Sequence, residues 1–302
     1  LQTLLDELPP AAVTAPGDLP SPRSFSMIVL SRLAGCAPRV EVLVAAAAVL
    51  GDPGPVVARL SERIRASFLL AGPLLARFGE ATMPPPGGDV IGRRRLDPHL
   101  DAFRALGAVV DERRDIRLHA PNGGLQACDF FMDEPSVMGT ENALMAAALI
   151  DGTTVIRNAA SEPHVQDLAR MLEALGARIG GIGSNVLTIE GGLPLGGGRY
   201  EIGPDHIEIG SFIGLAAVTN GDITIDPVRP EDLRSTLLGF ERLGIRPRIE
   251  GSALVISSGQ ERRIRPDLGG HVPKLEDGPW PAFPADVMST TIVTATQCSG
   301  ML

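Results

Sequence analysis

The sequence predicts an α/β fold built from stacked copies of one unit, with sheets outside and a bundle of helices within. Three observations carry this expectation. A corner that closes a helix and opens a strand recurs as Leu106-Gly107-Ala108, Leu175-Gly176-Ala177 and Leu243-Gly244-Ile245, at separations of 69 and 68 residues. The glycine before an alternating strand recurs as well, at Gly152 (GTTVIRN) and Gly221 (GDITIDP), again 69 residues apart. A fixed period of this kind marks a repeated structural unit. Finally, each period holds two chemically different helices, one amphipathic and one apolar or small nearly all round, as an exterior and an interior helix must be.

The elements follow in chain order. Before about residue 55 the period is not obeyed: Pro9-Pro10, Pro16, Pro20 and Pro22 read as loop, and Ala45 to Ala48 belongs to an isolated apolar stretch. We assign 1–55 to an irregular N-terminal segment, 56–200 to a first domain and 201–302 to a second, both partial. Ala66 to Phe78 reads as one buried helix, and so do Asn142 to Ile150 and Gly210 to Val218. The amphipathic helices are marked by Leu96, Leu100 and Phe103, by Val165, Leu168, Leu172 and Leu175, and by Leu233, Leu237 and Phe240. Each Leu-Gly corner then leads to short strands, Ile116 to His119, Val186 to Ile189 and Leu254 to Ile256, bounded by Gly, Asn or Ser. Glycine at the corner suits the left-handed residue that ends a helix.

Bulk properties restrict the function. The 302 residues suffice for two ordinary cores, and 27 basic against 36 acidic side chains leave a net charge of -9, which disfavours wholesale nucleic-acid binding. Cys36, Cys128 and Cys298 are too few and too scattered for a disulfide framework or a zinc site, which points to a reducing cytoplasm. The longest apolar run, Val42 to Leu50, is about half of a bilayer span, so no membrane partner is expected. The first residue is Leu1, as in a fragment of a longer chain.

The first copy of the unit carries an insertion. Gly79 lies 27 residues before Leu106, where Gly152 lies 23 before Leu175 and Gly221 lies 22 before Leu243. The extra residues fall in Pro84-Pro85-Pro86-Gly87-Gly88-Asp89-Val90-Ile91-Gly92-Arg93-Arg94-Arg95. Two glycines, a carboxylate and three guanidinium groups in an acidic chain suit a loop that closes on an anion, since arginine forks match carboxylate and phosphate oxygens. The charge run alone is better explained by a solvated patch at a helix start. Arg65 opens a buried helix and can reach a site between units. Asp286, held by Trp280-Pro281-Ala282-Phe283-Pro284-Ala285, suits a positioned base or an N-terminal cap. Ser136 and Thr140 suit a cap or a phosphate contact at the helix's positive end.

Together these segments resemble the enolpyruvyl transferases. The resemblance rests on Arg65-Ala66-Ser67 with Gly72-Pro73-Leu74, on Pro86 to Gly92 with Asp97 and His99, on Ser136-Val137 with Thr140, on Asn158 to Pro163 and on Pro281 to Asp286, and runs from about residue 63 to the end. It implies an inside-out α/β barrel of repeated βαβαββ units in two domains, the second incomplete, with Gly191 to Tyr200 near the crossing between them. It implies transfer of the enolpyruvyl group of phosphoenolpyruvate to the 3-hydroxyl of UDP-N-acetylglucosamine for peptidoglycan synthesis, with no metal or organic cofactor. By the same resemblance Asp286 takes the hydroxyl proton, Arg94 holds phosphoenolpyruvate and Arg65 supports the anionic site. Arg95, Leu96, Asp97, His99, Ser136 and Val137 fall where the family contacts the uridine diphosphate.

Several positions depart from the family pattern. Asp89 stands where most members carry the cysteine that the antibiotic fosfomycin alkylates, so weak inhibition by fosfomycin is expected. To donate a proton near pH 7 an aspartate must rise by about 3 units, roughly 4 kcal/mol, and loop closure over an anion pushes that way. Glu134 replaces a residue often basic in the family. The N-terminal Lys-Asn pair of the family has no counterpart, the only lysine being Lys274, and the late arginines are absent too. A truncated or misassembled reading frame, with 1–55 in place of the first unit, accounts for both. The shikimate branch of the family, a noncatalytic sugar-nucleotide binder and a structural repeat scaffold are the rival readings.

Overall fold

In the computed structural model of the protein, residues 64–88, 95–113, 115–121 and 123–302 are described. The segment 1–55, Asp89, Arg93 and Arg94 lie outside them. The described residues form two compact units, one comprising residues up to Ala160 and Leu168–Tyr200, the other Ser161–Asp167 and Glu201–Leu302.

The first unit begins with a 3-10 turn, Arg65–Leu70, which passes directly into helix α1, Ala71–Phe78. The single helix expected over Ala66 to Phe78 is therefore two pieces. Pro73 is the reason: it has no N–H for the preceding turn and is tolerated only in a helix's first turn, so the α-helix starts at Ala71. Strand β1 (Glu80–Met83) follows, then α2 (Asp97–Ala105), β2 (Val109–Asp111) and β3 (Ile116–His119). Next come β4 (Asp129–Phe131), α3 (Val137–Ala147), β5 (Gly152–Arg157), α4 (Pro163–Ala174), β6 (Arg178–Gly180) and β7 (Val186–Gly191). The run from β4 to β7 is one complete βαβαββ unit. The remaining elements are α5 (His206–Thr219), β8 (Ile223–Ile225), a 3-10 turn Pro230–Leu233, α6 (Arg234–Arg242), β9 (Arg248–Glu250), β10 (Ala253–Ile256) and α7 (Ala285–Ala295).

The repeat is visible in the hydrogen bonds. The sheets have orders β1-β3-β2, β8-β10-β9 and β4-β5-β7-β6, so in each the last strand of the repeat sits in the middle. Every pairing is antiparallel except β4 with β5, the pair that α3 connects. The three corners share one backbone pattern. Gly107, Gly176 and Gly244 have φ of 89°, 110° and 77°. In each corner the next residue's N–H returns to a carbonyl five positions back: Ala108 to Phe103, Ala177 to Leu172 and Ile245 to Phe240. This is the Schellman arrangement, in which a left-handed residue lets two late carbonyls of the helix find donors.

The amphipathic helices pack as expected, with Phe103, Leu172 and Phe240 wholly buried. The apolar helices differ from expectation. Helix α3 starts at Val137, before Asn142, and is buried continuously from Gly139 to Ala147. Helix α5 does not meet the expectation of burial on every side: Phe212 and Leu215 are 39% and 46% exposed. Its packing against α7 covers one side, and Phe212 and Leu215 stand together on another. Among the described residues no helix is long and apolar enough to cross a membrane.

Candidate functional site

In the first unit, Arg65, at the start of the 3-10 turn, meets Arg95, the last residue of the inserted loop. Arg65 Nη2 donates to the Arg95 carbonyl at 2.7 Å, although 30 residues separate them. Gly88, at φ 104°, approaches so closely that a Cβ there would lie 3.2 Å from the Arg65 nitrogen. That approach requires a glycine at the loop's near end. The Arg95 side chain is committed to carboxylates: its Nε lies 3.1 Å from Asp97, Nη2 3.0 Å from Asp133 and Nη1 4.0 Å from Glu134. Hydrogen bonds and charge from Asp97 and Asp133 hold its pKa above the ordinary arginine value.

Asp97 opens α2 with Pro98 in the first turn, and His99 follows in the core at 2% exposure. The imidazole stands edge to face with Phe68, centroids 5.1 Å apart, and its Nδ1 lies 2.9 Å from Asn142 Nδ2. Burial, aided by the Arg65 charge, pushes its pKa down to about 3. Ser136 is the N-cap of α3, its Oγ accepting from Gly139 N at 3.2 Å, so the capping reading holds for this side chain. Thr140 accepts instead from Ala160 N, at 2.9 Å.

Asp286 belongs to the second unit. It lies exposed in the first turn of α7 and is not the cap, which is Pro284. The loop before it is anchored by Phe283, 5% exposed, whose ring occupies the space a Cβ on Gly239 would need. Behind Asp286 stands His206, 4% exposed at the start of α5, between His164 (centroids 5.9 Å, stacked) and Trp280 (5.7 Å, edge to face). Burial lowers the His206 pKa, and the charges of Asp205 and Asp286 oppose the shift.

The structure thus brings Arg65, Arg95 and Asp97 together, with Leu96 before α2 and Ser136-Val137 starting α3; Asp89 and Arg94 lie outside the described residues. Sequence reasoning missed Asp133, Asn142, His164 and His206. The signal for Asn142 was present, a polar side chain inside an otherwise apolar helix. The acidic pair Asp133-Glu134 beside an expected anion site was a signal as well. Among the described residues no cluster of three or more His, Cys, Asp or Glu could hold a metal ion.

The sequence pattern of the family described as EPSP synthase (3-phosphoshikimate 1-carboxyvinyltransferase) matches residues 38–301. The chain is 60% identical over 243 residues to the UDP-N-acetylglucosamine 1-carboxyvinyltransferase of Bradyrhizobium diazoefficiens, covering 80% of this chain and 56% of that protein. It is 54% identical over 241 residues to the protein of the same name from Treponema denticola, again with 80% and 56% covered. The chain therefore spans little more than half the length of these curated relatives. Among solved structures, the enolpyruvyl transferase NikO from Streptomyces tendae superposes with a TM-score of 0.63 over 80% of this chain and 56% of that one, at 20% identity, a likeness of fold.

Proposed function

Because the chain belongs to the EPSP synthase family, we propose that the protein transfers the enolpyruvyl group of phosphoenolpyruvate to the 3-hydroxyl of UDP-N-acetylglucosamine. The observation that carries the reading is the 60% identity to a protein named for that reaction, over 80% of the chain. The contact of Arg65 with the Arg95 carbonyl supports it, since it ties the last residue of the inserted loop to the same 3-10 turn that Gly88 approaches. In this reading the domains are 56–200 and 201–302, and the reaction is a cytoplasmic step of peptidoglycan synthesis.

The chemistry assigns each residue a task. Asp286 accepts the proton of the sugar hydroxyl, whose oxygen attacks C2 of phosphoenolpyruvate while Asp89 delivers a proton to the methylene carbon. The C–O bond formed and the C–H bond gained give a tetrahedral intermediate. Loss of phosphate and return of the methyl proton restore the double bond. Arg94 binds the phosphoenolpyruvate anion with Arg65 in support. Arg95, Leu96, Asp97, His99, Ser136 and Val137 make the uridine diphosphate site, through backbone groups where the side chain is engaged elsewhere. An exposed carboxylate at a helix start is a base ready to be desolvated by substrate.

The test is phosphate release. Release requiring both phosphoenolpyruvate and UDP-N-acetylglucosamine, with no response to shikimate 3-phosphate, is expected. Release with shikimate 3-phosphate instead assigns the other branch, and binding of UDP-N-acetylglucosamine without any release assigns a noncatalytic role. Replacement Asp89→Cys is expected to create rapid inactivation by fosfomycin in an enzyme that is otherwise only weakly inhibited, and unchanged sensitivity removes Asp89 from the proton-delivery role.

A further inference from the structure

Asn142 is wholly buried on α3, and its amide is satisfied from three directions. Its Oδ1 accepts from Gly72 N at 2.9 Å, while Nδ2 donates to the Phe68 carbonyl at 2.8 Å and lies 2.9 Å from His99 Nδ1. The two backbone partners fix the orientation of the amide. A peptide N–H only donates and a peptide carbonyl only accepts, so the oxygen faces Gly72 and the nitrogen faces Phe68. The second amide hydrogen then meets His99 Nδ1, which must present a lone pair. A neutral imidazole has one donor and one acceptor nitrogen, so His99 carries its proton on Nε2. A second proton on Nδ1 would oppose the amide hydrogens in a buried place beside the Arg65 cation, the charged group that acts on this ring.

This contact joins the parts of the first unit that carry the cations. Phe68 and Gly72 flank the seam between the 3-10 turn that begins with Arg65 and helix α1. His99 stands on α2, four residues after Arg95. At the seam the packing has no slack, because a Cβ on Gly72 would lie 2.5 Å from the Asn142 carbonyl oxygen. One side chain therefore bonds to both of two segments that also meet through the Phe68–His99 ring contact and the bond from Arg65 to the Arg95 carbonyl.

We propose that Asn142 is a positioning residue for the basic end of the site: it fixes the Nε2–H tautomer of His99 and, through that ring and the Phe68–Gly72 seam, the placement of Arg65 against Arg95. Its consequence for phosphoenolpyruvate rests on the function proposed above; the tautomer and the Arg65 placement do not.

The variant Asn142→Asp tests this, since it keeps the size of the side chain and the acceptor toward Gly72 but turns an oxygen toward Phe68 and His99. Nitrogen-15 NMR of the chain is expected to show the wild-type ring as the Nε2–H tautomer, without titration between about pH 5 and 8. In the variant the ring gains a proton on Nδ1 and titrates in that range, because a carboxylate favours the imidazolium. Solvent exchange of the Arg65 guanidinium protons is expected to quicken by about tenfold. A wild-type ring in the Nδ1–H form overturns the proposal even if the variant fails to fold, and so does a folded variant with unchanged ring shifts and Arg65 exchange. In the enzymatic assay the variant raises the KM for phosphoenolpyruvate by about tenfold, more than it lowers kcat, and makes it pH-dependent; an unchanged KM in an active enzyme counts against it. A wild-type protein without turnover sinks the proposed function, while the ring tautomer and the Arg65 exchange still decide the role of Asn142.

Discussion

Helices α3 and α5 occupy corresponding places in successive repeats, yet their burial runs opposite to their polarity. Helix α3 carries Thr140, Glu141 and Asn142 and is buried through all of them; α5 offers Phe212 and Leu215 to solvent. Helix α7, packed against α5, likewise exposes Ile292 and Val293, each at 59%. Apolar composition sets what a helix gains from burial, while the neighbours present set whether it is buried. Polar groups enter a core without penalty when each finds a partner, as Asn142 and Thr140 do.

Three measurements put the contrast between α3 and α5 at risk, and a fourth, on an exposed ion pair outside both helices, sets the baseline for a surface change. The greatest change is expected for Leu144→Ala in α3, where a wholly buried side chain leaves a cavity worth about 4 kcal/mol in denaturant unfolding; a cost under about 1 kcal/mol would mean that α3 is no better packed than α5. Acidification comes next. His99 has a folded pKa far below its ordinary 6.5, so its contribution is complete above that value and is lost as pH falls toward about 3. Between pH 7 and 4 roughly 3 kcal/mol of stability should disappear, and His99→Phe should flatten that slope. A smaller change is expected for Leu215→Ala on α5, below about 1 kcal/mol, accompanied by weaker binding of an apolar dye. A larger loss would show the exposed face to be part of a core. The least change belongs to Asp129→Asn, which breaks an exposed bidentate pair with Arg157 at 2.7 Å and should leave the unfolding midpoint unchanged at physiological salt.

Much of the fold was legible because the repeat imposes itself on residue types with few substitutes. Ile116–His119 was read to the residue, and the three corners located the ends of α2, α4 and α6. Boundaries failed where a local rule competed with apolar pattern: Pro73 moved the start of α1, and Ser136, by capping, moved the start of α3. Exposure of α5 was not legible, since periodicity reports the faces a helix could bury and not the partners that cover them. For the site, the sequence marked Arg65, Arg95, Asp97 and Asp286 through charge, insertion and resemblance. It did not disclose that Arg95 is shared among Asp97, Asp133 and Glu134, because that sharing joins α2 to the segment before α3 across 38 residues. The buried state of His99 and its dependence on Asn142 are likewise products of packing between segments far apart in the chain.

At the corner glycines, Gly107, Gly176 and Gly244, the backbone turns with the handedness that a D-amino acid would choose, so an L-residue there is strained whatever its side chain. Chirality filters what those positions accept, and at Gly244 space does so as well, since a Cβ would lie 2.8 Å from the Arg263 backbone. The repeated segments differ in nearly every side chain, but each keeps glycine where an L-residue is penalised, and the spacing of 69 and 68 residues is written in the chain at those three points.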